Sequence, residues 1–235
     1  MRSTSFTTCP APEPSSRAAR PYALAEIAGG QAEASEACGA PIVGGNLARG
    51  PALSIATTVL GTCDGPVLRR GAREGDALWL AGPVGLAAAG MRAIATGRES
   101  EAALAGAVAA WRRPVARIIQ GLAMARLAHA AIDVSDGLAR DAAHVAQASG
   151  VRLVLDAGAI AAERALHEAA TAMGVDSLDL ALHGGEDYAL LASSAAPIDG
   201  FRRVGEVVAG SGVVLRTKDR VVPLEPRGYD HFPER

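Results

Sequence analysis

The alternation of apolar and polar positions divides the first third of the chain into one helix and two short strands. Apolar or small residues at helical spacing between Leu24 and Cys38 predict a helix. The segment PIVGGNLARGP (41–51) predicts a short strand, a glycine turn and a polar loop. The β-branched run from Leu53 to Gly61 predicts a further strand. Residues 1–21 are polar and contain prolines, and we expect them to form a disordered leader.

A strand, a glycine-rich bend and two helices are predicted in the middle of the chain. The run from Ala77 to Leu80 predicts the strand, and GPVG (82–85) leads into the first helix. Pro114 predicts the start of a longer helix. Its apolar stripe of Ile118, Leu122 and Ala125 is expected to pack in the core.

Short strands and helices continue to the end of the chain. AIDVSDGL (131–138) ends an apolar strand and begins a helix in which Leu138, Ala142 and Val145 face inward and which stops at Gly150. A strand (151–158), a helix (162–174), an apolar alternation with a glycine turn and a strand (178–194), and a hairpin (213–224) follow. The order lacks the regular rhythm of a doubly wound sheet, so an α+β fold with a layered sheet is favoured.

Composition and charge point to a small-ligand protein. The 235 residues are 49% hydrophobic but only 3% aromatic, which predicts a core of Ala, Val, Leu and Ile. The 25 acidic and 23 basic residues give a net charge of -2. That balance argues against nucleic acid and anionic membranes as partners.

Phosphate chemistry, if present, has to proceed without a P-loop lysine. Lys218 is the single lysine, and no GxxxxGK motif occurs. The three cysteines lack metal-ligand spacing and favour a reduced, cytoplasmic protein. No apolar run reaches the roughly eighteen residues of a membrane span, and the N-terminus has no secretory signal pattern.

Three motifs are candidates for chemistry. In AIDVSDGL, one oxygen of Ser135 or Asp136 would suffice to cap the following helix, but the motif also supplies Asp133, which lies within the predicted strand. We therefore favour a Mg²⁺ site over capping alone. HGGEDYALL (183–191) is either a second site or a polar β-turn. GGNLARGP (44–51) could present main-chain amides and Arg49 to a phosphate.

These motifs in this order, with WRRPVAR (111–117) and the terminal RGYDHF (227–232), resemble the thiamine-monophosphate kinase family of the aminoimidazole-ribonucleotide-synthetase (PurM-like) superfamily. The resemblance runs from about Leu24 to Phe232. AIDVSDGL alone would also suit selenophosphate synthetase or hydrogenase-maturation relatives, whereas GGEDYALL with GYDHF is specific to the thiamine kinase branch. The resemblance implies an incomplete N-terminal barrel-forming α/β domain (22–66) and a complete C-terminal α+β domain (67–235).

The resemblance also implies an activity and its residues. The family transfers the γ-phosphoryl group of ATP to thiamine monophosphate with Mg²⁺, in a homodimer. Asp133 and Asp136 would bind Mg²⁺. Glu186 and Tyr229 would face thiamine monophosphate. ATP would be contacted by four residues, Gly45, Asn46, Arg69 and Ser135. No residue is expected to act as a catalytic base, because the acceptor phosphate is already an anion.

Two departures from the family leave alternatives open. The family's Asp-rich N-terminal strand and further substrate motifs are not found in the first twenty residues, and the family has Asp where this chain has Asn46. Both changes remove carboxylates that would hold metal ions. One alternative is a non-catalytic PurM-like protein that binds nucleotide or thiamine phosphate without turnover. Another is a truncated gene model of an ordinary kinase.

Overall fold

The computed structural model describes residues 21–228, in two compact units that divide the chain at Gly61. In the first unit, α1 (Pro21–Cys38) confirms the predicted helix. Residues 39–61 contain no regular secondary structure, so the strands predicted there are wrong. Val43 and Leu60 are 91% and 87% exposed. A β-branched run forms a strand only when a neighbouring strand pairs with it, and none does so within these residues.

The second unit begins at Thr62 and combines helices with a mixed sheet. Its helices are α2 (Leu86–Ala95), a 3₁₀ turn (Ala102–Leu104), α3 (Ala105–Arg112), α4 (Ile118–Met124), α5 (Leu138–Ser149), α6 (Ala157–Ile160), α7 (Arg164–Met173) and α8 (Ser177–His183). Its strands are β1 (Ala77–Ala81), β2 (Ala130–Val134), β3 (Arg152–Asp156), β4 (Ala189–Ser194), β5 (Arg202–Val208), β6 (Gly212–Arg216) and β7 (Val221–Pro223).

The strands described in this unit form one sheet in the order β2-β4-β1-β5-β3-β6-β7. Neighbours are antiparallel except β3 and β6, which are parallel. The register places Asp133 of β2 opposite Leu190 of β4, and Leu190 opposite Ala81 of β1. The C-terminal ends of β1 and β2 therefore lie beside the N-terminal end of β4. Each of these three strand ends adjoins a glycine-rich motif.

Strand alternation divides the sheet into two faces. Leu78 and Leu80 of β1 are fully buried in the main core, together with apolar residues of α2, α5, α7 and α8. Trp79, between them, packs with a smaller cluster around Ala131 and Ala192. The core consists mainly of Ala, Val, Leu and Ile, as the composition predicted.

Several predicted elements are confirmed, one is wrong, and one strand was not predicted. The strands at 77–81 and 152–156, the inward face and Gly150 stop of α5, and the β6–β7 hairpin agree with the predictions. The segment before the glycine turn, predicted as an apolar alternation, is the helix α8 instead. Its buried residues, Leu180 to Leu182, are consecutive and do not alternate with exposed ones. Asp176 caps this helix by accepting the N–H of Leu178 at 2.9 Å. Strand β5 was not predicted.

The helix predicted after Pro114 is short, and the expected stripe does not pack in the core. Ile118 and Leu122 are 51% and 69% exposed, and Ala125 is also exposed. The residues of α4 that pack against the smaller cluster are Ala123 and Met124. Helical spacing identifies an apolar face, but it does not identify the surface that covers that face.

Candidate functional site

The AIDVSDGL and GGEDYALL motifs are joined through the main chain. Strands β2 and β4 pair, so the turn that follows β2 lies beside the turn that precedes β4. The N–H of Glu186 donates to the carbonyl of Ser135 at 2.8 Å, and the N–H of Tyr188 donates to that of Val134 at 2.9 Å. The sheet ladder thus continues into the two turns and fixes their relative position.

Two glycines allow this close packing. A Cβ on Gly185 would lie 2.5 Å from the carbonyl oxygen of Ser135, and a Cβ on Gly228 would meet the carbonyl oxygen of Asp136. The segment containing Gly228 is held by His183, whose Nε2 lies 3.0 Å from Nη2 of Arg227. The turns at 135–136 and 184–186 and the start of RGYDHF are therefore in contact. Tyr229 lies outside the described residues.

The charges of three carboxylates act on one hydroxyl group. Tyr188 donates a hydrogen bond from its hydroxyl to Oε2 of Glu186 at 3.1 Å. Burial raises the pKa of Tyr188, and the hydrogen bond to Glu186 and the charges of Glu186, Asp133 and Asp136 raise it further. The predicted metal residues and the predicted substrate residue Glu186 therefore share one electrostatic environment.

The position of Asp133 corrects one premise of the sequence argument. Its side chain is exposed although it lies within β2, so no buried charge has to be neutralised there. Asp136 is partly buried, and the hydroxyl of Ser135 donates to its Oδ1 at 3.2 Å. The argument for a metal ion now rests on the oxygen donors of Asp133 and Asp136 rather than on burial.

The turn before β4 contains two strained residues. Glu186 and Tyr188 have φ angles of 66° and 49°, in the left-handed region that non-glycine residues rarely adopt. Each such residue costs on the order of 1–3 kcal/mol and persists where the surroundings hold it. The main-chain bonds to Ser135 and Val134 provide that restraint. Tyr188 was not singled out in the sequence, although it lies within the quoted motif.

The buried carboxylates of the site are Asp141 and Asp187, and neither was assigned a role from the sequence. Oδ2 of Asp141 accepts the N–H groups of Ser135 and Asp136 at 2.9 and 3.1 Å. Burial raises the pKa of Asp141, and these hydrogen bonds oppose the rise. This carboxylate fixes the turn that contains the predicted metal and ATP residues. Its position in the first turn of α5 was the available signal.

Asp187 plays the corresponding part for the turn before α2. Its Oδ2 accepts the N–H of Gly85 at 2.6 Å and its Oδ1 accepts that of Ala87 at 3.1 Å. Burial raises the pKa of Asp187 to about 6, against these two hydrogen bonds. The carboxylate therefore joins the GGED turn to the start of α2 and satisfies its first N–H groups.

The segment containing Arg69 is fastened beside β2. The N–H of Ala131 donates to the carbonyl of Leu68 at 3.0 Å. At the other side, Oγ of Ser149 accepts the N–H groups of Gly71 and Ala72 at 3.1 and 3.2 Å. These bonds fix the main chain of Arg69 from two elements.

A cavity of about 580 Å³ lies next to this segment. Its lining includes Arg69, Arg70 and Asp133, and most of its remaining lining is apolar. Near the end of the segment, Nδ1 of His129 lies 2.9 Å from Oδ1 of Asp76, a nearly fully buried carboxylate. The cavity therefore combines guanidinium groups with one of the two predicted metal carboxylates. Hydrogen bonds hold the main chain of the segment that carries Arg69 in place.

The carboxylate set suits a hard cation. Residues 21–228 contain no group of three or more His, Cys, Asp and Glu side chains arranged to hold a metal ion. Asp133 and Asp136 offer only oxygen donors, and Mg²⁺ is commonly bound by one or two carboxylates with water and phosphate oxygens completing its shell. Gly45 and Asn46 belong to the first unit, where they are exposed and outside regular secondary structure. Their contact with ATP stays a prediction.

Two family models match the chain. AIR synthase related protein, C-terminal domain, matches residues 73–218, which is more than half of the chain. AIR synthase related protein, N-terminal domain, matches residues 3–63, which includes most of the segment expected to be a leader. The boundaries of the two domains stay predictions.

Sequence relatives and a solved structure agree with these matches. A thiamine-monophosphate kinase of Mycobacterium tuberculosis is 43% identical over 182 residues, covering 75% of this chain and 54% of the relative. One from Aquifex aeolicus is 32% identical, covering 81% of this chain and 63% of the relative. The solved structure of AaThiL complexed with AMPPCP and TMP superposes with a TM-score of 0.63 at 32% identity, covering 71% of this chain and 54% of that one.

Two conclusions follow from the similarities. The predicted α+β, PurM-like fold class is confirmed. The chain spans about half to two thirds of the length of the curated relatives described above.

Proposed function

The chain belongs to the AIR synthase related protein family, and from that premise we propose that it acts as a thiamine-monophosphate kinase. In the proposed reaction, the oxygen of the phosphate of thiamine monophosphate attacks the γ-phosphorus of ATP. The bond from that phosphorus to the β,γ-bridging oxygen breaks, and thiamine diphosphate and ADP leave. The names of the relatives and the ligands of the AaThiL complex support this choice of substrates.

The observation that best supports the proposal is the joining of the two acidic motifs. The bonds from Glu186 to Ser135 and from Tyr188 to Val134 bring together carboxylates that lie about fifty residues apart in sequence. A kinase for two polyanionic substrates needs carboxylates near both of them to hold metal ions between them. An ordinary polar turn would not require strained residues at 186 and 188.

The chain's own residues would act by positioning and by charge. Asp133 and Asp136 would hold Mg²⁺, which supplies neutralisation of phosphate charge when bound. Gly45, Asn46, Arg69 and Ser135 would contact ATP. Glu186 and Tyr229 would face thiamine monophosphate. Asp141 and Asp187 would keep the two turns in place, and the anionic acceptor needs no base.

A second candidate is a protein that binds nucleotide or thiamine phosphate without turnover. Asn46 favours this alternative because a neutral amide cannot replace the charge of the carboxylate expected at that position. A cytoplasmic location and a homodimer belong to the same proposal as the kinase. None of the helices in residues 21–228 has the length and apolar character needed to cross a membrane.

The decisive experiment measures thiamine diphosphate formation by the purified chain with ATP, thiamine monophosphate and Mg²⁺. We expect product that depends on Mg²⁺ and disappears in the double variant Asp133→Asn, Asp136→Asn. Asp219→Asn is the matched control, because this exposed carboxylate lies in the turn between β6 and β7, at the opposite edge of the sheet from β2.

Calorimetry separates the two candidates. Binding of Mg-ATP or thiamine monophosphate without product would support the binding protein and refute the kinase. If the chain binds neither ligand and forms no product, both candidates are refuted for this chain.

A further inference from the structure

Two arginines beside the end of β1 have buried donors without partners. Nε of Arg117 and Nη2 of Arg202 are inaccessible to solvent, and neither donates a hydrogen bond to any of the described residues. A buried N–H without an acceptor destabilises the folded state, and more so when the group is charged. Each such group in a folded protein needs an explanation, and a bound ion or water is one of them.

Both guanidinium groups approach the same residue, Gly82. Nη1 of Arg202 donates to the carbonyl of Gly82 at 2.8 Å. A Cβ built on Gly82 would lie 2.9 Å from Nε of Arg117 and 3.2 Å from its Nη2. Two positive charges that reach this place from different elements, the segment before α4 and strand β5, repel each other unless an anion lies between them.

Among residues 21–228, neither Arg117 nor Arg202 forms an ion pair with a carboxylate. Burial lowers the pKa of Arg202, and the charge of Glu163 acts in the opposite direction. The carboxylate of Asp187 is engaged by the N–H groups of Gly85 and Ala87. The start of α2 is thus already capped, and the guanidinium groups are the free anion-binding feature of this corner.

The location differs from that of the carboxylate cluster. Gly82 follows Ala81 of β1, and strand β4 separates β1 from Asp133 of β2. Arg117 and Arg202 are both partly exposed, so a solute can reach their outer N–H groups. The two sites lie at the same end of the sheet, but no residue belongs to both.

We propose that Arg117 and Arg202 form a binding site for a phosphate group at Gly82. The flat fork of one guanidinium fits a carboxylate, whereas two guanidinium groups from separate elements fit a tetrahedral oxyanion with several acceptors. The accessible N–H groups of both guanidinium groups would donate to the phosphate oxygens. This proposal is independent of the kinase activity.

The test is calorimetric titration of the purified full chain with inorganic phosphate at constant ionic strength, without Mg²⁺. We expect saturable binding, weakened about tenfold or more in Arg117→Gln and in Arg202→Gln, because each loses charge-assisted hydrogen bonds. Arg203→Gln is the matched control, since Arg203 is the next residue of β5, is exposed, and bonds to Gly205 and Glu206. It should bind phosphate as the wild type does.

Further measurements distinguish this phosphate site from the proposed kinase site. The variant Asp133→Asn, Asp136→Asn should retain phosphate binding. In the wild type, phosphate should shift the Nε–H resonance of Arg117 in ¹H–¹⁵N spectra, which needs no folded variant. If ATP displaces phosphate, a nucleotide phosphate is the ligand. If ATP does not displace it, free phosphate is the ligand. Acetate binding as tightly as phosphate, unchanged binding in both arginine variants, or an unmoved Nε–H signal would overturn the proposal.

Discussion

The wild type should lose stability as the pH rises through the weakly acidic range. Replacing Asp187 by asparagine should abolish this loss. The carboxylate is 6% exposed, and burial raises its pKa from 3.8 to about 6. The folded state therefore holds this proton more tightly than the unfolded chain does. The stabilising contribution is complete below pH 3.8 and is lost as the pH rises through about 6.

The magnitude follows from the size of the shift. A difference of roughly two pKa units corresponds to roughly 3 kcal/mol, at 1.36 kcal/mol per unit. The carboxamide that replaces the carboxylate in the variant is neutral at every pH and can still accept the N–H of Gly85. The free energy of unfolding of D187N minus that of the wild type should therefore increase by roughly 2–2.5 kcal/mol between pH 4 and pH 7, since the remainder of the change falls below pH 4.

Urea denaturation at a series of pH values measures this difference directly, with circular dichroism as the probe. The control is Asp176→Asn, because Asp176 caps α8 from an exposed position. The effect assigned to Asp187 is the excess over this control. A difference between D187N and wild type that stays constant across the range, or that grows in favour of the wild type, would refute the reasoning.

Two further substitutions test the main-chain contacts of the site. Asp141→Ala leaves the N–H groups of Ser135 and Asp136 without their acceptor, and should lower the free energy of unfolding by about 2–4 kcal/mol in urea titrations; an unchanged midpoint would show that water replaces the carboxylate. Gly185→Ala places a Cβ 2.5 Å from a carbonyl oxygen and should cost about 1–3 kcal/mol. Gly158→Ala, which meets nothing within 4 Å, should be close to neutral, and equal effects of the two glycine substitutions would contradict the packing argument.

The local chemistry of the site could be predicted from the sequence because it depends on short segments. A strand that ends in Asp133, Ser135 and Asp136, and a glycine turn that precedes Glu186, are both visible in eight residues or fewer. The family resemblance and the α+β class follow from such motifs and from their order. The inward face of α5 was also predictable, since helical periodicity is a local property.

Burial and pairing between distant segments were decided by the tertiary structure. Asp187 is buried against Gly85, about a hundred residues away, and Asp133 is exposed although its neighbours in β2 are buried. The apolar face of α4 is exposed because the sheet packs against Ala123 and Met124 instead. Sequence patterns record which residues avoid water, but the free energy of a carboxylate or a guanidinium depends on the groups that the fold brings to it. The orphan donors of Arg117 and Arg202 at Gly82 belong to that second kind of information, since three separate segments have to meet before they exist.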